Sequence, residues 1–279
     1  MNPLDFTGPV FLVFYAVYGA VICWGLSLLR LTTEPQMPTR AVPRDPLTIA
    51  YLRGGATEAL RISAMTLLER DVLALGPHDT LRADGNHPLP ADASLVDGAV
   101  RDHFRIGASA RSLFTDGILA LTVQEHAVPP LEDAGLVPGD VLRDARSRRL
   151  IGALVLLGVL AAAKIAVALW RGHSNVQLLV IEAIVFAVIA YHLTIRHRTP
   201  AGERALKYLM HTFGPVRDRA GSMPHPPPGD VAIVAAVFGL AALPDVLSTN
   251  VAALQPRQDG SGCGGGCGGG CGGCGGCGE

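Results

Sequence analysis

Three long apolar stretches dominate the pattern along the chain, at residues 9–29, 150–170 and 176–195. Because an α-helix rises about 1.5 Å per residue, about 20 apolar residues cross a hydrocarbon core about 30 Å thick. Each stretch therefore predicts a membrane-spanning helix, the first extending over about residues 8–30. Only residues 171–175 separate the second stretch from the third, and so short a connection predicts an antiparallel helical hairpin.

Positive charge is distributed unevenly around these stretches. Arginines follow the first, precede the second and follow the third, whereas the hairpin loop holds only Arg171. A signal peptide would need a basic n-region, which is missing before the first stretch, so we predict an uncleaved anchor. The positive-inside rule then places the N-terminus and the hairpin loop outside, and residues 31–149 and 196 onward inside.

A fourth apolar stretch, VAIVAAVFGLAAL at residues 231–243, is shorter than the other three. Its 13 residues are too few to span a bilayer comfortably, so the pattern favours a buried, interfacial or re-entrant helix over a fourth span. The choice has a consequence for topology, because a fourth span would move the C-terminal tail to the outside.

Two charges interrupt the apolar hairpin. Lys164 and Glu182 each lie nine residues from His173, so an antiparallel hairpin places them at the same depth, about 13 Å below its apex. Charges within lipid are costly unless they are paired or face water. We therefore predict an intramembrane ion pair that fixes the register of the hairpin. A proton or ion path is the less favoured interpretation, because transporters usually show repeated and interrupted helices.

The polar region between the first two spans predicts a Pro-rich linker at residues 31–44 and a small helical domain at 45–149. Asp45 is expected to cap the first helix of this domain, and a second helix is expected over residues 58–75. Asp84-Gly85 then predicts the turn of a small hairpin. Two helices followed by a hairpin are typical of a winged-helix-like layout.

Charge argues against nucleic acid as the partner of this domain. Residues 45–149 hold 11 arginines and no lysine against 11 aspartates and four glutamates, a net charge of −4. A DNA-binding domain needs a basic face to neutralise phosphates. We therefore predict that this domain contacts other proteins, with residues 196–259 forming a further cytoplasmic segment. No GxSxG, HExxH, P-loop or GxGxxG motif occurs in a suitable context, so the chain is predicted not to be an enzyme.

The chain ends in a Gly-rich tail, residues 260–279, that contains Cys263, Cys267, Cys271, Cys274 and Cys277. Spacings of two or three residues between cysteines occur in zinc and iron–sulfur sites. However, 13 of these 20 residues are glycine, so ordering the tail would lose much backbone entropy and bury no core. A disordered tail is the favoured interpretation, followed by loose binding of a thiophilic metal such as Zn, and then by disulfide cross-linking.

The layout resembles a family of uncharacterised bacterial membrane proteins with one N-terminal span, a helical domain, a close pair of spans and a low-complexity C-terminus rich in Gly and Cys. The resemblance rests on four features: AYLRGG at 50–55, the hairpin region from LIGALVLLG to AYHLTIRHRTP, the stretch at 231–243, and the Gly/Cys tail. It implies location and architecture, and it carries over no activity and no functional residues.

These observations together predict a mainly α membrane protein of the bacterial cytoplasmic (inner) membrane. The 21 arginines against two lysines, with abundant Ala, Gly and Pro, suggest a GC-rich bacterial genome. The expected function is that of a non-enzymatic scaffold or interaction protein, in contact with the lipid bilayer and, through residues 45–149, with other proteins. Two alternatives are a metal- or thiol-handling protein acting through the tail, and a small transport component using Lys164 and Glu182.

Overall fold

The computed structural model describes residues 8–85, 87–170, 177–223, 226–243 and 248–254. Most of these residues are helical, as predicted. The helices are α1 (Gly8–Thr33), α2 (Pro46–Gly54), α3 (Ala56–Glu69), α4 (Leu95–His103), α5 (Ser112–Thr115), α6 (Gly117–Asp133), α7 (Asp140–Trp170), α8 (Gln177–Thr194), α9 (Pro200–Ser222), α10 (Pro228–Phe238) and α11 (Ser248–Leu254). One small antiparallel sheet runs in the order β1 (Leu73–Leu75), β2 (Thr80–Ala83) and β3 (Ala108–Ser109).

Three helices, α1, α7 and α8, are long and apolar enough to cross a membrane, which confirms the three predicted candidates. Large apolar side chains cover their outer faces: Val13 is 66% exposed, Val159 64% and Ile181 57%. Such surfaces suit contact with lipid, because the backbone polar groups of a helix are satisfied internally. The hairpin loop, residues 171–176, lies outside the described residues.

The three long helices pack through a core of their own. Its fully buried members are Phe11, Tyr15, Leu157, Ala161 and Leu179. The Tyr15 hydroxyl donates to the Leu157 carbonyl at 3.1 Å, which joins α1 to α7. At Gly19 the ring of Phe186 lies so close that an added Cβ would come within 2.6 Å of it, so glycine permits the contact between α1 and α8.

The remaining helices and the sheet share a second core, which we call the helical domain. Its buried residues come both from Leu47 to Val137 and from Ala201 to Leu254. Residues 45–149 are predicted to form a domain and residues 196–259 a separate segment, whereas the observed core contains buried residues from both ranges. The two parts meet because α10 packs against α2, α3 and α9.

The short apolar stretch forms α10, which lies inside this core. Val231, Val234, Ala235 and Val237 are at most 1% exposed. A helix that is apolar on all sides must be buried on all sides, whether in a core or in lipid. The observed burial accounts for the composition of α10 without a fourth span.

The predicted start of α2 is confirmed, whereas the predicted end of the second helix, α3, is wrong. The Asp45 carboxylate accepts the Thr48 backbone N–H at 3.0 Å and so caps α2. The second helix, expected over 58–75, ends instead at Glu69, and residues 73–75 become β1. Asp71 causes the break, because its φ of 57° cannot continue a right-handed helix.

The hairpin turn also lies elsewhere than predicted. β1 and β2 are joined by residues 76–79, and not by a turn at Asp84-Gly85. His78 and Asp79 both have positive φ in this turn, at 58° and 57°. Asp84 follows β2, and its backbone N–H donates to the Val72 carbonyl at 2.9 Å, which closes the open end of the hairpin.

The Pro-rich linker packs on the helical domain. α1 continues to Thr33, and the next residues follow the surface of the domain closely. The Thr39 N–H donates to the Ala134 carbonyl, and the Ala201 N–H donates to the Pro35 carbonyl, both at 3.0 Å. The segment predicted as a spacer therefore holds α1 against the domain.

Candidate functional site at the junction of the spans and the helical domain

A buried ion pair joins the end of α1 to the first turns of α7. The Arg146 guanidinium donates to both carboxylate oxygens of Glu34, from Nε to Oε1 at 2.8 Å and from Nη2 to Oε2 at 2.6 Å. The side chains are 7% and 2% exposed. The planar fork of arginine matches a carboxylate in this bidentate arrangement, which makes it the strongest kind of protein ion pair.

The same arginine also reaches the residues that follow α8. Arg146 Nη1 donates to the Arg196 carbonyl at 2.5 Å, and Nη2 donates to the Arg198 carbonyl at 3.3 Å. These carbonyls follow the last turn of α8, where backbone acceptors have no partner within the helix. One side chain on α7 therefore binds the ends of both α1 and α8.

A second arginine extends the pair toward the helical domain. Arg30, in the last turn of α1, binds Glu203 of α9 at 2.9 Å, and its Nε lies 3.5 Å from Glu34. Partial burial alone would raise the pKa of Glu203, but the hydrogen bond and charge of Arg30, with the charge of Arg196, lower it overall. We call Arg30, Glu34, Arg146 and Glu203 the junction cluster.

The lowered pKa of Glu203 has a direct consequence for stability in acid. A carboxyl group with a lower pKa in the folded state than in the unfolded state stabilises the fold above the unfolded value, about pH 4.3, and loses this contribution as the pH falls further. Glu203→Gln should therefore flatten the decline of melting temperature as the pH falls below about 4.3. Glu125→Gln, at an exposed position on α6, is the control, and an equal flattening there would contradict the assignment.

Next to the junction cluster, Arg53 connects three segments of the chain. Its Nε donates to the Ala236 carbonyl of α10 at 3.0 Å, its guanidinium binds Glu58, and its own carbonyl accepts a hydrogen bond from Arg198. Gly239, with φ of 98°, lets the chain end α10 beside this guanidinium. The stretches AYLRGG, AYHLTIRHRTP and VAIVAAVFGLAAL, which carry the family resemblance, therefore meet at one place.

His197 adds a second connection between the first two of these stretches. Its Nε2 contacts the Tyr51 carbonyl at 2.9 Å, and the two rings lie 5.1 Å apart. Although the residue as a whole is exposed, protein atoms crowd its ring and remove water from it. This desolvation lowers the pKa of His197, and the positive charge of Arg198 acts in the same direction. The neutral ring can therefore donate to the Tyr51 carbonyl at neutral pH.

The structure places the predicted intramembrane charges without testing their pairing. Lys164 lies on α7, and its ammonium group is 4.6 Å from the centre of the Phe11 ring, a cation–π distance. Glu182 lies on α8, and both residues are half-buried. The ion pair of Lys164 with Glu182 stays a prediction.

That prediction can be tested by the relative harm of single and double changes. Removing one member of a buried pair leaves an uncompensated charge, whereas removing both does not. Glu182→Ala alone should therefore reduce the amount of protein in the membrane more than Glu182→Ala combined with Lys164→Ala. Quantitative immunoblotting of membrane fractions measures this, and equal loss in the two variants would contradict the pairing.

The predicted metal ligands lie outside the part of the chain that is described. Cys263, Cys267, Cys271, Cys274 and Cys277 all follow residue 254. Within the described ranges, no group of three or more His, Cys, Asp or Glu could hold a metal ion. Cys23, also described, is buried in α1 and is not in a disulfide.

The junction cluster was missed by the sequence analysis, although a signal for it exists. Glu34 directly follows α1, in a segment that is otherwise basic, and no other acidic residue lies between Asp5 and Asp45. A single acid in a positively charged segment has arginines within reach, so a buried pair is expected there. Its partner could not be identified, because Arg146 is 112 residues away and is one of four arginines of similar appearance at 143–149.

The chain was compared with family models, with curated proteins and with solved structures, and none of the three comparisons gave a match. The resemblance to a family of bacterial membrane proteins therefore stays an expectation.

Proposed function

We propose that the protein is an interaction scaffold of the bacterial inner membrane, with its N-terminus outside and its helical domain on the cytoplasmic side. The observation that carries this proposal is the junction cluster. Its contacts hold one domain in a fixed position at the ends of three helices able to span a membrane. A protein that presents a binding surface at a membrane benefits from such a fixed orientation.

The surface of the helical domain supports contact with proteins. Leu95 is 79% exposed, Ile106 90% and Ile118 75%, so these apolar side chains are available to contact another protein. The net charge of −4 over residues 45–149 disfavours phosphate backbones. Helices followed by a small antiparallel sheet are compatible with the winged-helix-like layout, here used to bind protein and not DNA.

Site-specific photo-crosslinking in living cells tests the scaffold. A photoreactive amino acid at Ile106 in the full chain should give a discrete adduct with another protein, identified by mass spectrometry. The same amino acid at Val13, on the outer face of α1, is the control and should give no discrete protein adduct. Absence of protein adducts at Ile106, Leu95 and Ile118 alike would contradict the proposal.

The proposed topology is tested separately by the cysteines of the tail. An impermeant thiol reagent applied to intact cells should leave Cys263 to Cys277 unmodified, and the same reagent should modify them after the cells are opened. Modification in intact cells would place the tail outside and contradict the orientation.

A second candidate function uses the same tail to bind a thiophilic metal such as Zn. It is supported by five cysteines within 20 residues. Metal analysis of the purified full chain, with and without residues 260–279, separates the two functions. Equal metal content in both proteins would contradict the second candidate and leave the first unaffected.

A further inference from the structure

A serine, a histidine and an aspartate come together on the helical domain, away from the junction cluster. His103, the last residue of α4, places Nε2 2.7 Å from the Ser112 hydroxyl oxygen. Its other ring nitrogen, Nδ1, lies 3.0 Å from Oδ2 of Asp116. Both distances are in the hydrogen-bond range that links a nucleophile to its general base and the base to the group that orients it.

Each of the three side chains is positioned by a different helix end or contact. Asp116 caps α6, because its Oδ1 accepts the Ile118 backbone N–H at 2.8 Å while Oδ2 faces His103. The His103 ring stands edge-on against the buried Phe104 ring, with centres 4.9 Å apart. Ser112 begins α5, one turn before Asp116. The arrangement is therefore fixed by secondary structure at all three positions.

The chemistry of the three groups decides which atom carries each proton. Hydrogen bonds from the Ile118 and Leu119 N–H groups, followed by His103, lower the pKa of Asp116, so this side chain is a carboxylate and can only accept. A neutral imidazole has one N–H, and it must be Nδ1–H, facing Asp116. Nε2 is then an acceptor, and the Ser112 hydroxyl donates to it.

The Ser112 hydroxyl has a second possible acceptor, which is available to it when the His103 imidazole is protonated. The hydroxyl also lies 2.8 Å from the Ser109 carbonyl. When the imidazole is protonated, Nε2–H donates to the Ser112 oxygen and the hydroxyl turns to Ser109. When the imidazole is neutral, the hydroxyl turns back to Nε2, which is the state that can react.

We propose that Ser112 is a nucleophile, His103 its general base and Asp116 a positioning residue, and that together they cleave carboxylic esters of small acyl groups. The side chains of His103 and Asp116 are 18% and 27% exposed, so the group is partly open to solvent. Esters are the substrate class that fits, because an alkoxide leaves more readily than an amine. This activity is independent of the proposed scaffold function, and it would replace the expectation that the chain is not an enzyme.

The reaction balances with these groups and water alone. Nε2 of His103 takes the proton of the Ser112 hydroxyl as the oxygen forms a bond to the acyl carbon, and the bond from that carbon to the alkoxide breaks. The alkoxide receives the proton from the imidazolium and leaves as an alcohol. Water then gives a proton to Nε2 and attacks the acyl carbon, and the Ser112 oxygen leaves and recovers its proton.

A fluorophosphonate probe tests the nucleophile in the full chain purified in detergent. Attack by Ser112 forms an oxygen–phosphorus bond and releases fluoride and a proton, so the mass of the protein increases once. The expected result is labelling at Ser112, absent in Ser112→Ala. General-base catalysis contributes about 10²–10⁴-fold, so His103→Gln should slow labelling by at least about 100-fold. Hydrolysis of p-nitrophenyl acetate should fall in parallel in both variants.

Two further variants separate reactivity from folding. Asp116→Ser keeps an N-cap acceptor for α6 but removes the carboxylate from Nδ1, so labelling should slow while the melting temperature stays near that of the wild type. Ser147→Ala is the matched control, because it removes an exposed serine hydroxyl from another helix, α7, and its labelling rate should equal that of the wild type. No labelling of the wild type at Ser112, or labelling that persists unchanged in His103→Gln, would overturn the proposal.

Discussion

Glu34→Met should be the most damaging single substitution at the junction cluster, destabilising the protein by about 3–5 kcal/mol. The reason is that Arg146, with a side chain only 7% exposed, would lose both of its bonds to a carboxylate while Arg30 stays close by. Arg146 would then be a buried positive charge without an anion, whereas Arg30 would keep Glu203. Thermal unfolding of the purified protein in detergent should show the loss as a large decrease in melting temperature.

The double change provides the critical comparison. Glu34→Met with Arg146→Met removes both buried charges, so it should be less destabilising than Glu34→Met alone, even though the Arg196 and Arg198 carbonyls lose a donor. Asp133→Ala is a control of the opposite kind, because Asp133 pairs with Arg40 at 2.7 Å in solvent. Exposed pairs contribute about 0–1 kcal/mol, so that change should have little effect. A double variant less stable than Glu34→Met would contradict the buried-charge explanation.

Gly202→Ala should have the second largest effect, a loss of about 1–3 kcal/mol. A Cβ at this position would collide with the Leu136 carbonyl oxygen and crowd the Leu52 side chain. The same carbonyl accepts the Thr199 N–H at 3.1 Å, so it cannot move without breaking the start of α9. The methyl group would therefore push α9 away from the core that it shares with α2. Chemical denaturation of the detergent-solubilised protein measures the change.

The chain offers a matched control on the same helix. Gly221 also lies in α9, but a Cβ there would meet nothing within 4 Å. Gly221→Ala should stabilise by about 0.4–1 kcal/mol, because alanine reduces the entropy of the unfolded chain without a clash. If both substitutions destabilise equally, the loss at Gly202 comes from a general intolerance of α9 and not from contact with Leu136.

The long helices and their caps could be predicted because the responsible signals are local. A stretch of about 20 apolar residues identifies a helix able to span a bilayer, whatever it packs against. Asp45 and Ser94 cap α2 and α4 through residues only three positions further along the chain. Asp140 likewise begins α7, which continues through the second candidate span.

Contacts between distant residues could not be predicted in this way. Arg53 binds a carbonyl 183 residues away, and nothing in AYLRGG indicates which carbonyl it reaches. The end of α3 was not predicted for another reason. The apolar stripe of α3 continues through Val72 into β1, and so short an apolar pattern does not distinguish a strand from a helix. The Ser112 site escaped motif searches because its geometry, and not a fixed spacing, defines it.

The continuity of α7 has a mechanical consequence. Its 31 residues run from Asp140 to Trp170 without a break. At about 1.5 Å per residue α7 is about 46 Å long, so a change in tilt of about 10° displaces one end sideways by about 8 Å relative to the other. Because Arg146 lies near the N-terminal end of α7, a change in tilt would act directly on the contact between Arg146 and Glu34. A tilt of α7 would thus be passed to the place where the helical domain is attached.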